Sequence, residues 1–122
     1  MLLAEIVALL GCTELLALDL ASGPEIDGCF AADLMSEVLA FCGYGALLVT
    51  GLTNVQSLHT AEVVDVRAIL YVNGKRPEPQ VLALALERGL PLLSTPLTLY
   101  EACGRLHAGG LPASVKQERS AP

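Results

Sequence analysis

Three times in this chain an apolar run of strand length ends in a short polar or glycine-containing junction and passes into a helix-length segment. Residues 46–49 lead into Thr50-Gly51-Leu52-Thr53-Asn54, residues 68–72 into Asn73-Gly74-Lys75-Arg76-Pro77, and residues 90–93 into Ser94-Thr95-Pro96. Strands separated by helix-length segments lie parallel and are joined by right-handed crossovers. Residues 46–108 therefore predict a β-α-β-α-β-α core. In sheets of this kind ligands bind just beyond the carboxyl ends of the strands, so the junctions also say where a site would lie.

The flanks are read from local signals. Apolar residues at helical spacing over 2–10, stopped by Gly11, predict an amphipathic helix. Residues 13–18 read as a short strand, and 21–24, with Ser22-Gly23-Pro24, as a turn. Residues 25–31 alternate like a strand, and Gly28 within them marks a bulge or a close backbone approach. Asp33 is placed to cap a helix whose apolar face is Leu34, Val38, Leu39 and Cys42. The first 42 residues are expected to add an edge hairpin and two helices. Proline at the first turn opens a helix over 78–88, closed by Gly89. Thr98 with Glu101 has capping-box spacing for the last helix. The fold class is α/β: a small, mainly parallel sheet flanked by helices, in one domain over 1–110. The polar, aperiodic residues 111–122 read as a flexible tail.

Composition narrows the function. Hydrophobic residues make up 53% and charged residues 16%, as expected when strands are covered on both faces. So apolar a chain leaves room for a homo-oligomer or partner-protein interface. A net charge of −6 with seven basic residues argues against nonspecific binding to nucleic acid or anionic lipid. With no tryptophan, three tyrosines and two phenylalanines, a base-stacking platform is not expected. The first ten residues lack a basic leader and carry Glu5, so they read as a docked helix rather than a signal peptide. No run of about 18 uncharged apolar residues predicts a membrane span, and a cytoplasmic location follows by default.

Each junction offers candidate ligand-binding residues. At the first, Thr50, Gly51, Thr53 and Asn54 can present backbone N–H groups to an anion, helped by the helix dipole; capping of the helix by Thr53 or Asn54 explains the same residues. At the second, Asn73 and Gly74 form a turn dipeptide beside the cations Lys75 and Arg76, which can hold a phosphate or simply face solvent. At the third, Ser94 and Thr95 supply hydroxyls. His59 and Glu62, three apart on a helix, could form an acid–base pair, and a surface pair is the plainer reading. The four cysteines, Cys12, Cys29, Cys42 and Cys103, have neither a C-x-x-C pair nor a histidine at ligand spacing, and read as buried free thiols. No serine–histidine–acid or cysteine–histidine set assembles from local spacing. No catalytic residue, metal site or cofactor is assigned.

Taken together, residues 47–54 (LLVTGLTN), His59-Thr60-Ala61-Glu62, residues 68–77 (AILYVNGKRP), 90–95 (LPLLST) and 100–106 (YEACGRL) resemble a DRTGG domain. Asp33-Leu34-Met35-Ser36, after a glycine-bearing strand, is similar to that family's Asp-Leu-Leu-Ser element. The resemblance spans about residues 1–110 and rests on the order and spacing of many small elements. Of the namesake residues only Gly74 is kept. The resemblance implies a compact α/β fold similar to the N-terminal domain of bacterial HPr kinase/phosphorylases, in a family also found beside CBS domains and in phosphotransacetylases. It implies a regulatory or structural role with catalysis elsewhere. With the three junctions, the expected function is a non-catalytic regulatory or ligand-sensing domain that binds a small anionic molecule, such as a nucleotide, at the strand ends. The alternative is a protein–protein interaction module, a homodimer that docks on an enzyme or kinase.

Overall fold

The computed structural model describes residues 1–20 and 23–116. Residues 21–22 of the expected turn and 117–122 of the expected tail lie outside them. In chain order the elements are α1 (Leu3–Leu10), β1 (Thr13–Glu14), β2 (Gly28–Ala31), α2 (Met35–Phe41), β3 (Ala46–Thr50), α3 (Val55–Val63), β4 (Ala68–Tyr71), α4 (Pro79–Arg88), β5 (Leu92–Ser94) and α5 (Leu99–Ala108). The strands form a single sheet in the order β1-β5-β4-β3-β2. Strands β2 to β5 are parallel and β1 is antiparallel to β5.

Every residue of β3, β4 and β5 is buried, the pattern of strands covered on both faces. Leu47, Val49, Leu70 and Leu93 face α1 and α5, where they meet Leu3, Ile6, Leu10, Ala102 and Leu106. Leu48, Ile69, Tyr71 and Leu92 face α2, α3 and α4, where they meet Val38, Leu58, Ala61, Val81 and Ala85. Three crossover helices share one face because the parallel strands advance one neighbour at a time in one direction, each with the same hand.

The expected edge hairpin is not formed: β1 and β2 lie at opposite edges of the sheet. Because β2 is parallel to β3, it needs a crossover, and α2 supplies it. The strand expected over 13–18 is only Thr13–Glu14, held by pairing with Ser94 and Leu93. Nor are residues 111–116 a free tail. Cys29 N–H donates to the Pro112 carbonyl (2.8 Å), Ser114 N–H to the Cys29 carbonyl (2.8 Å) and Lys116 N–H to the Phe41 carbonyl (2.7 Å). Leu111 and Ser114 are buried. This strap covers the outer edge of β2, which would otherwise present unpaired backbone groups. Gly28 permits it: a Cβ there would stand 2.9–3.0 Å from the Cβ, Cα and N of Ser114. The close backbone approach expected at Gly28 is thus present.

Candidate functional site

Sheet register brings the three junctions into one row. Thr50 pairs with Tyr71 and Tyr71 with Ser94, so β3, β4 and β5 end level. Ala31 pairs with Val49, and two residues further along each strand set Asp33 beside Gly51. The Asp33 carboxylate there accepts hydrogen bonds from the Gly51 N–H (2.7 Å) and the Thr50 hydroxyl (3.0 Å). It does not cap α2; that position is Leu34, whose side chain makes no capping bond. Asp33 is instead the anion at the first junction, on the donors expected to receive a ligand.

The other expected residues divide between structural work and the open surface. Asn54 caps α3 by accepting the Ser57 N–H (3.2 Å). The Thr53 carbonyl accepts the Glu78 N–H at the start of α4. Asn73 and Gly74 both have positive φ, 59° and 67°, and the Lys75 N–H closes the turn on the Val72 carbonyl. Two such residues are the signature of a type I′ turn, which Asn-Gly favours. The Ser94 hydroxyl donates to the Lys75 carbonyl (2.8 Å). The Thr95 hydroxyl is buried and donates to the Leu10 carbonyl (2.8 Å), tying β5 to the end of α1.

Lys75 reaches back across the row, and its ammonium donates to the Gly51 carbonyl (3.2 Å). Gly51 thus lies between a cation and a carboxylate. A Cβ on Gly51 would sit 3.4 Å from Lys75 Nζ and 3.6 Å from both Asp33 oxygens. The row forms a crest along the carboxyl ends of β3, β4 and β5. The connections part between β4 and β5, where α4 packs on one face of the sheet and α5 on the other, the arrangement at which ligands bind in sheets of this kind. Beneath the crest, at the end of β4, the Tyr71 hydroxyl is buried beside Ser57. Among the described residues no group stands at full hydrogen-bonding distance from that hydroxyl, and burial raises its pKa.

His59 and Glu62 do not form the pair allowed by their spacing. Glu62 is bonded to Arg88 of α4, and His59 is exposed. No group of three or more histidine, cysteine or acidic side chains among the described residues is placed to hold a metal ion. No helix among them is long and apolar enough to cross a membrane.

The cysteines hold what sequence reasoning missed. All four are free thiols, yet only Cys42 is fully buried. Burial pushes Cys12 and Cys42 up to about 11. Cys29 on β2 and Cys103 on α5 are neighbours, close enough for each thiol to shift the ionisation of the other. Both line a cleft of about 200 Å³ with Leu106, His107, Leu111 and Pro112. No spacing rule links residues so far apart in sequence; only the parallel pairing of β2 and the packing of α5 against it bring them together.

No protein-family model matches the chain, and no curated protein matches it. A solved structure does: the CBS and DRTGG domains of the regulatory region of Clostridium perfringens pyrophosphatase, complexed with the activator diadenosine tetraphosphate. The TM-score is 0.67 at 16% sequence identity, over 97% of this chain and 51% of the other. The chain thus spans about half the length of that structure, and the likeness shows a shared fold.

Proposed function

We propose that this is a DRTGG-like, non-catalytic regulatory domain of the cytoplasm that senses a small anionic ligand, such as a nucleotide, on the crest. The observation that carries this reading is the arrangement around Gly51. A backbone without a side chain is flanked by the Lys75 ammonium and the Asp33 carboxylate. A nucleotide offers a phosphate to the one and ribose hydroxyls to the other, as acidic residues beside a parallel strand end serve in other nucleotide sites. Support comes from the shared fold with a regulatory region solved with a nucleotide activator.

A thermal-shift panel of mono- and dinucleotides, pyrophosphate and acyl phosphates tests it. A ligand at 100 times its Kd stabilises by about 2.7 kcal/mol, a rise in Tm of about 10 °C for a chain of this size. Gly51→Ala is the decisive variant. Its Cβ meets only ordinary contact distances in the unliganded protein, yet it fills the approach to the backbone. The expected result is a wild-type shift lost in Gly51→Ala and Lys75→Ala, with both variants folded. A panel with no shift, or a shift untouched by either substitution, sinks the proposal.

A second reading has its own observation. Leu39, Tyr44, Val63 and Val115 are exposed and line, with Cys42 and Val64, a groove of about 630 Å³. This apolar surface suits a second copy or a partner protein. Sedimentation velocity should show a dimer that Val63→Glu dissociates; a wild-type monomer at high concentration removes the homodimer.

A further inference from the structure

The cleft between β2 and α5 carries chemistry that the crest does not use. Strand alternation turns Phe30 toward the α2–α4 face and Cys29 toward α5. Cys103 meets it from the helix, and His107, one turn on, stands on the same cleft wall. The remaining lining is apolar: Ala31, Leu106, Leu111, Pro112 and Ala113. The two thiols therefore face one cavity that a small molecule can enter. Neither Cys12 nor Cys42 lines this cleft.

From this geometry we infer that Cys29 and Cys103 form a thiol–disulfide exchange site for low-molecular-weight disulfides, with Cys103 attacking and Cys29 resolving. The opposed ionisation of the two thiols assigns the roles. The neighbouring Cys29 thiol stabilises the Cys103 thiolate, whose pKa is drawn down to about 7, while the Cys29 thiol is pushed up by Cys103 and by burial. The thiolate is the nucleophile.

In the first step the Cys103 thiolate attacks one sulfur of the disulfide RSSR. A Cys103–SR bond forms, the RS–SR bond breaks, and RS⁻ leaves. Cys29 now faces a neutral mixed disulfide, so the charge that held its proton is gone. Cys29 loses that proton to solvent or to the departing thiolate, and its sulfur attacks Cys103 Sγ. The Cys29–Cys103 bond forms as the second RS⁻ leaves. Two electrons pass from the protein to RSSR; one proton comes from Cys29 and the other from the ionisation of Cys103 before the first step, and with the two RS⁻ they give two RSH. The sulfurs need only approach to about 2 Å. The product joins α5 to the β2 edge across a loop of about 75 residues, and long loops give the larger stabilisation.

The test uses the full chain, glutathione disulfide and peptide mapping under native conditions. The wild type should yield a Cys29–Cys103 linkage, no retained glutathione, and a Tm raised by several degrees that dithiothreitol reverses. Cys29→Ser should trap glutathione on Cys103, and Cys103→Ser should give neither product. Alkylation of Cys103 in the untreated wild type should rise through about pH 7, well below the range for Cys12 and Cys42; this arm depends on no variant folding. Glutathione spread over Cys12, Cys42 and Cys103 without a Cys29–Cys103 peptide overturns the site. An alkylation profile for Cys103 that matches Cys12 overturns the assignment of roles.

Discussion

The crest at the strand ends and the cleft beside α5 are opposites in how they were built. At the crest the polar groups come from the junctions themselves, and most are already bonded to one another: Asp33 to Gly51 and Thr50, Lys75 to Gly51, Ser94 to Lys75. In the cleft the walls are apolar, and the reactive groups are two thiols from remote parts of the chain. A polar residue at a strand end has capping and turn work to do whether or not a ligand exists. A pair of thiols has no such structural duty, so their convergence on a cavity is the more informative arrangement.

The largest effect should come from the wall the cleft shares with the core. Leu106 is 1% exposed and belongs to the cluster under α1 and α5. Leu106→Ala should cost about 2–5 kcal/mol in urea unfolding and widen the cleft, so Cys103 should alkylate faster. No crest residue should approach that cost; a loss below about 1 kcal/mol would mean that the cleft is separable from the core.

Gly28→Ala comes next. Its Cβ would press on the backbone of Ser114, and overpacking of this kind costs about 1–3 kcal/mol. Hydrogen exchange should speed up at the Ser114 N–H, which donates to Cys29, while the Gly51 N–H stays protected. Equal loss of protection at both would show that crest and cleft open as one unit. Thr98→Ala follows, at about 1 kcal/mol for a lost N-cap. The Thr98 hydroxyl oxygen accepts the Glu101 N–H, and the Glu101 carboxylate, held below its usual pKa by Thr98, accepts the Thr98 N–H. Because α5 carries Cys103, fraying from this end should blunt thiol exchange more than it disturbs the crest.

The difference between crest and cleft is also a difference in legibility. Apolar runs bounded by turn chemistry fix β3, β4 and β5, and local caps at Asn54, Gly89 and Thr98 fix the helices between and after them. All of these signals lie within a few residues of what they specify. Asp33 misleads because an acidic residue ahead of an apolar face is a good cap by spacing. What moves it elsewhere is the register of β2 on β3, a pairing whose partners lie 18 residues apart. The strap over 111–116 is invisible for the same reason: its backbone partners, Cys29 and Phe41, are set by the folded edge of β2. Gly28 was the one local trace of it, and Cys29 and Cys103 left none.

The smallest change in stability should be the sharpest probe of the crest. Asp33→Asn keeps an oxygen for the Gly51 N–H and the Thr50 hydroxyl but removes the charge. Asp33 is exposed, so the loss should stay within about 1 kcal/mol. Its effect on ligands depends on what the carboxylate does. If it stands against an anion approaching Gly51, the repulsion at 4 Å is about 1–4 kcal/mol for effective dielectrics between 80 and 20. Asp33→Asn should then tighten binding of pyrophosphate, which has only charge to offer. A nucleotide that uses the carboxylate for its ribose should gain less, or lose. Calorimetry with both ligands separates these cases. A uniform gain would make Asp33 a guard on an anion site, whereas a loss confined to the nucleotide would place the ribose on Asp33 and the phosphate on Lys75.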